Sequence, residues 1–274
     1  MRKNKPLVSV VMPAYNAGRF MAVAIESILN QTLEDLELVI VDDGSTDNTL
    51  EVAKFYTERD KRVHLISIKV NVGSGEARNI GVRASQGEYI ALMDSDDLSY
   101  KNRLELQLKY LRSYPEVDVC IGNMRAIGRQ GNLKYSRTYP ADDRSIKKKV
   151  FKFNPFPNPT IMCRRSVLEE FSYSPNLLTT HDFDLWLRVG TKYKFGNVNK
   201  IVCKYRFSDT GLMRSNIRQI EWETFKLRCK AVGLGYRPGV EDIVFNLLQL
   251  LFYLFIPANV SLRLYDSLRH RNLI

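Results

Sequence analysis

Val8-Ser9-Val10-Val11-Met12-Pro13-Ala14-Tyr15-Asn16 holds a short valine-rich run that Pro13 closes. A continuous apolar run of that length, with turn residues behind it, predicts a strand buried on both faces. Residues 17–29 follow, with Phe20, Val23, Ala24, Ile28 and Leu29 at helical spacing. The alternation then repeats. Strands are predicted at 36–41, 63–68 and 89–93, and helices at 47–59 and 76–84. Asn48 with Glu51 three residues on predicts a capping pair for the second helix. Strands alternating with helices predict the α/β class, a mostly parallel sheet flanked by helices on both faces.

Past Leu98 the pattern is less regular. Leu104, Leu108 and Leu111 mark a helix that ends near Pro115, and residues 117–121 read as another strand. Residues 154–159 contain three prolines, which neither a helix nor a central strand accommodates, so they form a loop. A helix begins at 184–189, and 233–239 is a linker. Residues 243–256 are strongly apolar and stop at Pro257.

The chain has 274 residues, 45% of them hydrophobic, as in ordinary globular proteins. Its net charge of +11 favours acidic partners. Lys147, Lys148 and Lys149 contribute, as do Arg263, Arg269 and Arg271; a solvated basic surface is the plain alternative for each group. No zinc-finger, RRM-type or helix-turn-helix pattern occurs, so nucleic acid is not an expected partner. Four cysteines are widely spaced without a C-x-x-C pair, which argues against a zinc site and predicts reduced thiols in a cytoplasmic protein. Residues 1–6 carry no apolar signal-peptide stretch.

In parallel α/β sheets, ligands bind beyond the carboxyl ends of the strands. Those ends carry Pro13-Ala14-Tyr15-Asn16, Asp42-Asp43-Gly44-Ser45, Asn71-Val72-Gly73-Ser74-Gly75 and Asp94-Ser95-Asp96-Asp97. An aromatic residue, two acidic clusters and a glycine-rich loop thus meet at one edge, which suits a nucleotide. In an extended segment Asp94 and Asp96 point to one side. Two carboxylates there suit Mg²⁺ or Mn²⁺, which would grip a diphosphate. A solvated acidic turn is the alternative. Asp42 to Asp47 fits either a turn and helix cap or a carboxylate accepting hydrogen bonds from a base or ribose. Tyr15 fits the core or a stack on a base, and Arg78 fits a phosphate contact or an ion pair. Neither a dinucleotide fingerprint nor a Walker A loop is present. Thr180-His181-Asp182-Phe183-Asp184 precedes an apolar helix, either capping it or presenting a general base.

Together these stretches resemble the inverting family 2 glycosyltransferases with the GT-A (Rossmann-like) fold, over roughly residues 7 to 210. The stretches that carry the resemblance are 8–16, 37–47, 71–81 with Ala77-Arg78-Asn79, and Gly87 through Asp97. The resemblance implies a base pocket lined by Pro13, Ala14 and Tyr15, with Asp43 contacting the nucleobase and Asp42 beside it. It implies that Arg78, Asn79 and Ser95 lie at the donor and that Asp94 reaches the ribose or sugar side. Asp96 is then the main metal ligand, with Asp94, for Mn²⁺ or Mg²⁺. Asp182 matches the catalytic base. His181 stands where the family usually has Glu, and Ser208 where many members carry His after Tyr-Arg-x. Arg214 is a further candidate for the diphosphate. The implied reaction moves a sugar from a UDP-sugar or TDP-sugar to a hydroxyl of a glycan or lipid-linked acceptor, with inversion. Residues 1–100 then form the nucleotide-sugar half and 101–235 the acceptor half of one domain.

A sugar-nucleotidyltransferase is the rival enzyme. It usually carries a glycine-rich basic loop after the first strand, where this chain has Pro13-Ala14-Tyr15-Asn16. A catalytically dead relative is disfavoured by Asp96 and Asp182. Residues 236–274 predict a C-terminal helical extension. Asp242, Asn246, Gln249 and Tyr253 form a narrow polar stripe on an apolar helix too short to span a membrane. A basic amphipathic helix is expected after Pro257. The pair fits an anionic membrane surface on the inner face of the cell membrane, or packing on the domain or on a second copy.

Overall fold

The computed structural model describes residues 5–175, 177, 179–207 and 217–255. The second predicted C-terminal helix, Ser208 and Arg214 lie outside the described residues. Among the described residues nine strands form one sheet: β1 (Val8–Ala14), β2 (Leu36–Asp43), β3 (Val63–Ile68), β4 (Tyr89–Leu92), β5 (Leu98–Ser99), β6 (Val119–Ile127), β7 (Leu133–Arg137), β8 (Met162–Arg164) and β9 (Phe195–Arg206). Their order is β3-β2-β1-β4-β8-β6-β9-β5, with β7 beside β6. β3, β2, β1 and β4 are mutually parallel, β8 runs antiparallel between β4 and β6, and β6 and β9 are parallel. The sheet is therefore α/β and mostly parallel in its first half, as the alternating pattern predicts.

β1 and β2 are buried along their whole lengths. Glu37, near the start of β2, is accordingly only 3% exposed. It is satisfied by Ser9 Oγ at 2.5 Å and the Gln86 amide at 2.6 Å. Ser9 in turn accepts from the Gly87 amide at 2.7 Å, so β1, β2 and the entry to β4 are tied at one point.

Helices α1 (Gly18–Leu29), α2 (Thr49–Thr57) and α3 (Ser74–Ala84) connect the parallel strands. α1 buries Met21, Ala24, Ile25 and Ile28. Its face is therefore turned from the predicted one: Val23 is 42% exposed. The expected Asn48 cap of α2 does not form. Asp47 takes over, its Oδ1 accepting from the Thr49 amide at 3.0 Å, because Asp47 also reaches across to the Gly18 amide. Gly81 lets α3 lie directly on the sheet: a Cβ there would sit 2.5 Å from Val11 Cγ1.

α4 (Arg103–Ser113) buries Leu104, Leu108 and Leu111 as predicted. The strand expected at 117–121 extends to Ile127 as β6. The short α5 (Asp143–Lys148) and α6 (Arg165–Glu170) flank the three-proline loop and β8. α7 (His181–Val189) starts earlier than expected and buries Leu185, Trp186, Leu187 and Val189. α8 (Ile217–Gly233) and α9 (Val240–Phe255) pack on each other across the linker, α8 against α7 and α9 against the turn at Lys149–Phe151. Cys120, Cys163 and Cys203 are buried free thiols, and Cys229 is an exposed one.

Candidate active site

The ends of β1 and β2 are stitched together by the side chains that follow them. Asn16, in the left-handed region at φ 50°, accepts from the Thr46 amide at 2.8 Å, while Ser45 Oγ accepts from the Asn16 amide at 3.0 Å. Thr49 Oγ1 accepts from the Ala17 amide at 2.8 Å. Most of the acidic and hydroxyl motif at 43–49 is thus spent on backbone. Asp43 accepts from the Val72 and Gly73 amides at 2.7 and 2.9 Å, holding the glycine-rich loop in place. Gly73 adopts φ +87°, a conformation that favours glycine, as that loop turns into α3. Asp42 differs. It is 2% exposed, its Oδ2 accepts from Ser67 Oγ at 3.3 Å, and its Oδ1 is buried without a hydrogen-bond partner. Tyr15, just past Pro13 and Ala14, is 51% exposed at the same edge.

At the end of β4 the chain leaves the sheet. The strand stops at Leu92 and residues 94–97 form a turn closed by the Asp97 amide on the Asp94 carbonyl at 3.2 Å. The premise of an extended segment is therefore corrected: Asp94 and Asp96 are set by a turn, not by strand alternation. Asp94 pairs with Arg78 at 2.5 Å. Ser95 is nearly buried in the turn. Asp97 is fully buried and structural, its Oδ1 accepting from the Arg206 amide at 2.7 Å. Arg206, from β9, wraps the turn, donating from Nε to the Asp96 carbonyl at 2.9 Å and stacking over Phe20. Burial and the neighbouring Asp94 charge push the Asp96 carboxyl up to about 6. Burial, with Asp96 and Asp94, raises Asp97 well above the ordinary aspartate value. Asp94 and Asp96 are carboxylate oxygen donors of the kind a hard divalent cation takes, with Arg78 and Arg206 as the cationic groups already beside them. Among the described residues no group of three or more His, Cys, Asp or Glu converges on one point. A cation here would therefore draw its remaining ligands from a bound diphosphate and water.

Asp182 enters from the other half of the sheet, in the first turn of α7. Its Oδ2 accepts from Asn154 Nδ2 at 3.3 Å and its Oδ1 from the Phe183 amide at 2.8 Å. Next to it, His181 Nε2 accepts from Arg78 Nη1 at 3.2 Å and lies 3.4 Å from Ser74 Oγ. Arg78 thus lies between His181 and the carboxylate of Asp94. Arg78 is buried against Tyr173; burial lowers its pKa, but the nearby carboxylate of Asp94 outweighs this and raises it.

Arg78, Asp94 and Asp182 line one cleft of about 340 Å³, with Asn154, Tyr205 and Arg137. The cleft brings Asp94, the first residue of the 94–97 motif, together with Asp182 of the motif that opens α7. Pro13, Ala14, Tyr15, Asp42, Asp43, Ser95 and Asp96 are not among its lining residues; they belong to the strand-end edge beside it. Asn79 is not brought to the cleft either. Its amide donates to Glu76 and to the Tyr173 carbonyl, and its oxygen accepts from the Tyr173 amide, so it clamps α3 to the segment before α7. Asp184 is held by Arg188, Lys230 and Ser174 and is 1% exposed, a structural anchor. Sequence reading missed Arg137, Lys152 and Asn154 at the cleft. Arg137 lies 5.2 Å from the Tyr139 ring and 5.1 Å from the Phe153 ring, contacts that no spacing rule signals.

The sequence profile of Glycosyl transferase family 2 matches residues 9–172. An uncharacterised glycosyltransferase of Methanocaldococcus jannaschii is 34% identical over 220 residues, covering 79% of this chain and 76% of that one. Among solved structures, Staphylococcus aureus TarS 1–349 in complex with UDP-GlcNAc superposes with a TM-score of 0.68 at 19% identity, over 91% of this chain and 72% of that one. The Pyrobaculum calidifontis mannosyltransferase PcManGT in complex with GDP-Man and Mn²⁺ superposes with a TM-score of 0.63 at 16% identity, over 99% and 86%. Those likenesses show the GT-A-like fold, and with the profile spanning well over half of its length the chain belongs to glycosyl transferase family 2.

Proposed function

We propose that this chain is an inverting hexosyltransferase of polysaccharide biosynthesis. It takes a sugar from a nucleotide-diphosphate donor, a UDP-sugar or TDP-sugar, and gives it to a hydroxyl of a glycan or lipid-linked acceptor. The observation that carries this is the cleft in which Asp182, from the acceptor half (101–235), faces the Arg78–Asp94 pair of the donor half (1–100).

The base sits at the strand-end edge, on the exposed ring of Tyr15 with Pro13 and Ala14 alongside. Asp43 and, beside it, Asp42 address the base from the end of β2. Asp43 is engaged by Val72 and Gly73, so Asp42, with one unpartnered oxygen, is the acceptor not already spent, reached by a base N–H once the strand-end edge opens around it. Arg78 and Asp94 address the diphosphate and sugar, with Ser95 in the turn behind them. Asp96 would hold Mn²⁺ or Mg²⁺, with Asp94; PcManGT was solved with Mn²⁺. When bound, the ion would neutralise charge on the diphosphate. Asp182 removes the acceptor hydroxyl proton as that oxygen bonds to the anomeric carbon. The bond from that carbon to the diphosphate oxygen breaks, and the nucleoside diphosphate leaves with the electron pair, its charge met by Arg78. The free oxygen lone pairs of Asp182 suit a base, since one hydrogen bond from Asn154 and one from its own helix orient it.

The same reading places the enzyme in the cytoplasm, peripheral to the inner face of the cell membrane. A screen of nucleotide sugars with Mn²⁺ or Mg²⁺, following release of the nucleoside diphosphate, tests the donor class. Turnover confined to UDP- or TDP-sugars supports the proposal; release from none of them, or pyrophosphorolysis instead, overturns it.

A further inference from the structure

Helix α9 turns its polar side inward. Asp242 Oδ2 accepts from the Gly239 amide at 2.9 Å, Asn246 Nδ2 donates to the Phe151 carbonyl at 2.8 Å, and Gln249 Nε2 donates to Glu221 at 2.9 Å. Arg228 from α8 donates to both Asn246 and Gln249. The side chains that an ordinary surface helix buries point outward instead. Val240 is 80% exposed and Leu248 61%, while Ile243, Val244, Leu247 and Leu251 are each about half exposed. At about 100° per residue these six cover an arc of roughly 140°. An exposed apolar face of that width marks an interaction surface.

We propose that this face seats α9 in the plane of an anionic membrane surface. The helix has 16 residues, about 24 Å at 1.5 Å per residue, where spanning needs about 20 residues. Among the described residues no helix is long and apolar enough to cross a membrane. The chain carries a net +11, and residues 256–274 hold Arg263, Arg269 and Arg271 against the single acid Asp266, a charge that complements anionic lipid. Trp222 of α8, half exposed across the groove from Leu250, adds a side chain suited to the headgroup level. A second copy fits less well, since six half-exposed side chains fall short of the ~800 Å² per partner of a stable interface. Gln249, on the inner side of α9, lines the catalytic cleft. Docking therefore brings the cleft within about one helix diameter, 10–12 Å, of the lipid. That consequence alone rests on the proposed transfer.

Co-sedimentation of the full chain with vesicles tests the proposal, using phosphatidylglycerol–phosphatidylcholine against phosphatidylcholine alone. The wild-type chain is expected to pellet with the anionic vesicles, several-fold less at high salt, and to stay in solution with the neutral ones. Val244→Glu/Leu248→Glu changes only exposed positions, so its melting temperature and its nucleotide-sugar hydrolysis in lipid-free buffer should be kept while vesicle binding falls at least tenfold. A folded double variant that pellets like wild type overturns the assignment to α9. A wild-type chain that stays in the supernatant overturns docking altogether. A lipid-free dimer that the double variant converts to monomer assigns the face to a second copy. Hydrolysis in lipid-free buffer reports on the proposed transfer separately, so neither failure masks the other.

Discussion

Asp42 and Asp43 are adjacent and equally buried, yet they do different work. Asp43 spends both oxygens on the loop at 72–73, whereas Asp42 keeps one buried oxygen without a partner. A buried unpaired acceptor is costly, and a ligand N–H would relieve it. Asp42→Ala is therefore expected to weaken UDP binding roughly tenfold, about 1.4 kcal/mol, in calorimetry. Unchanged affinity would remove Asp42 from the base site. The turn at 94–97 makes a second demand. Asp96→Ala removes an anionic oxygen where burial already crowds carboxylates, so Mn²⁺-dependent binding of a UDP-sugar should vanish in the same assay. Binding retained at the wild-type level would move the cation elsewhere. The identities of these aspartates were legible in the sequence, but their division of labour was not. Which oxygen is free depends on the path of the loop at 71–73, and the Asp94–Arg78 pair depends on β4 ending at Leu92, two residues before the motif.

The parallel strands β1 to β4 were legible because each is a short, predominantly apolar run with turn residues behind it, and their observed bounds lie within a residue or two of the expected ones. Helix faces and caps were less legible. α1 rotates toward Met21 and Ile25, and Asp47 displaces Asn48, because cross-loop hydrogen bonds override local spacing. Close helix–sheet contact gives one prediction at this scale. Gly81→Ala places a methyl 2.5 Å from Val11 Cγ1, inside a fully packed interface. It should lower stability by about 1–3 kcal/mol in urea unfolding. An unchanged midpoint would show that α3 can shift outward at no cost.

The α7–α8 contact gives another. Burial raises the Asp184 pKa, but hydrogen bonds from Lys230, Ser174 and Arg188 outweigh it, and the carboxyl titrates below the ordinary aspartate value. A depressed folded-state pKa favours the ionised, folded form. Its stabilisation is present above the unfolded value of about 3.9 and is lost as pH falls through the lower folded value. Asp184→Asn should cost about 1–3 kcal/mol at pH 7. The gap in melting temperature to wild type should close as the pH drops below about 3.9. A gap that stays constant with pH would mean that the substitution acts through packing rather than charge.

At the scale of the molecule, one sheet joins a half whose pattern is regular to a half whose pattern is not. In the regular half the strand-end motifs that carry the proposed donor residues were legible, because each follows a predicted strand. In the other half, Asp182 was legible through its acidic cluster before an apolar helix, while Arg137 and Asn154 were not. They come from a β-hairpin and a proline-rich loop, whose positions follow from the closed sheet rather than from any period. α9 was legible as an apolar helix with a polar stripe, but only the fold shows that Asp242, Asn246 and Gln249 of that stripe face in. In the proposed reaction the two halves meet in one cleft where Asp182 takes the acceptor proton. The direct measurement compares Asp182→Asn and Asp184→Asn with wild type for both sugar transfer and donor affinity. Asp182→Asn keeps the shape but cannot take a proton, so transfer should fall by roughly 10²-fold or more with donor affinity nearly unchanged. Asp184→Asn should transfer near the wild-type rate once its lower stability is allowed for. Normal transfer by Asp182→Asn, with loss in folded Asp184→Asn, would contradict the account.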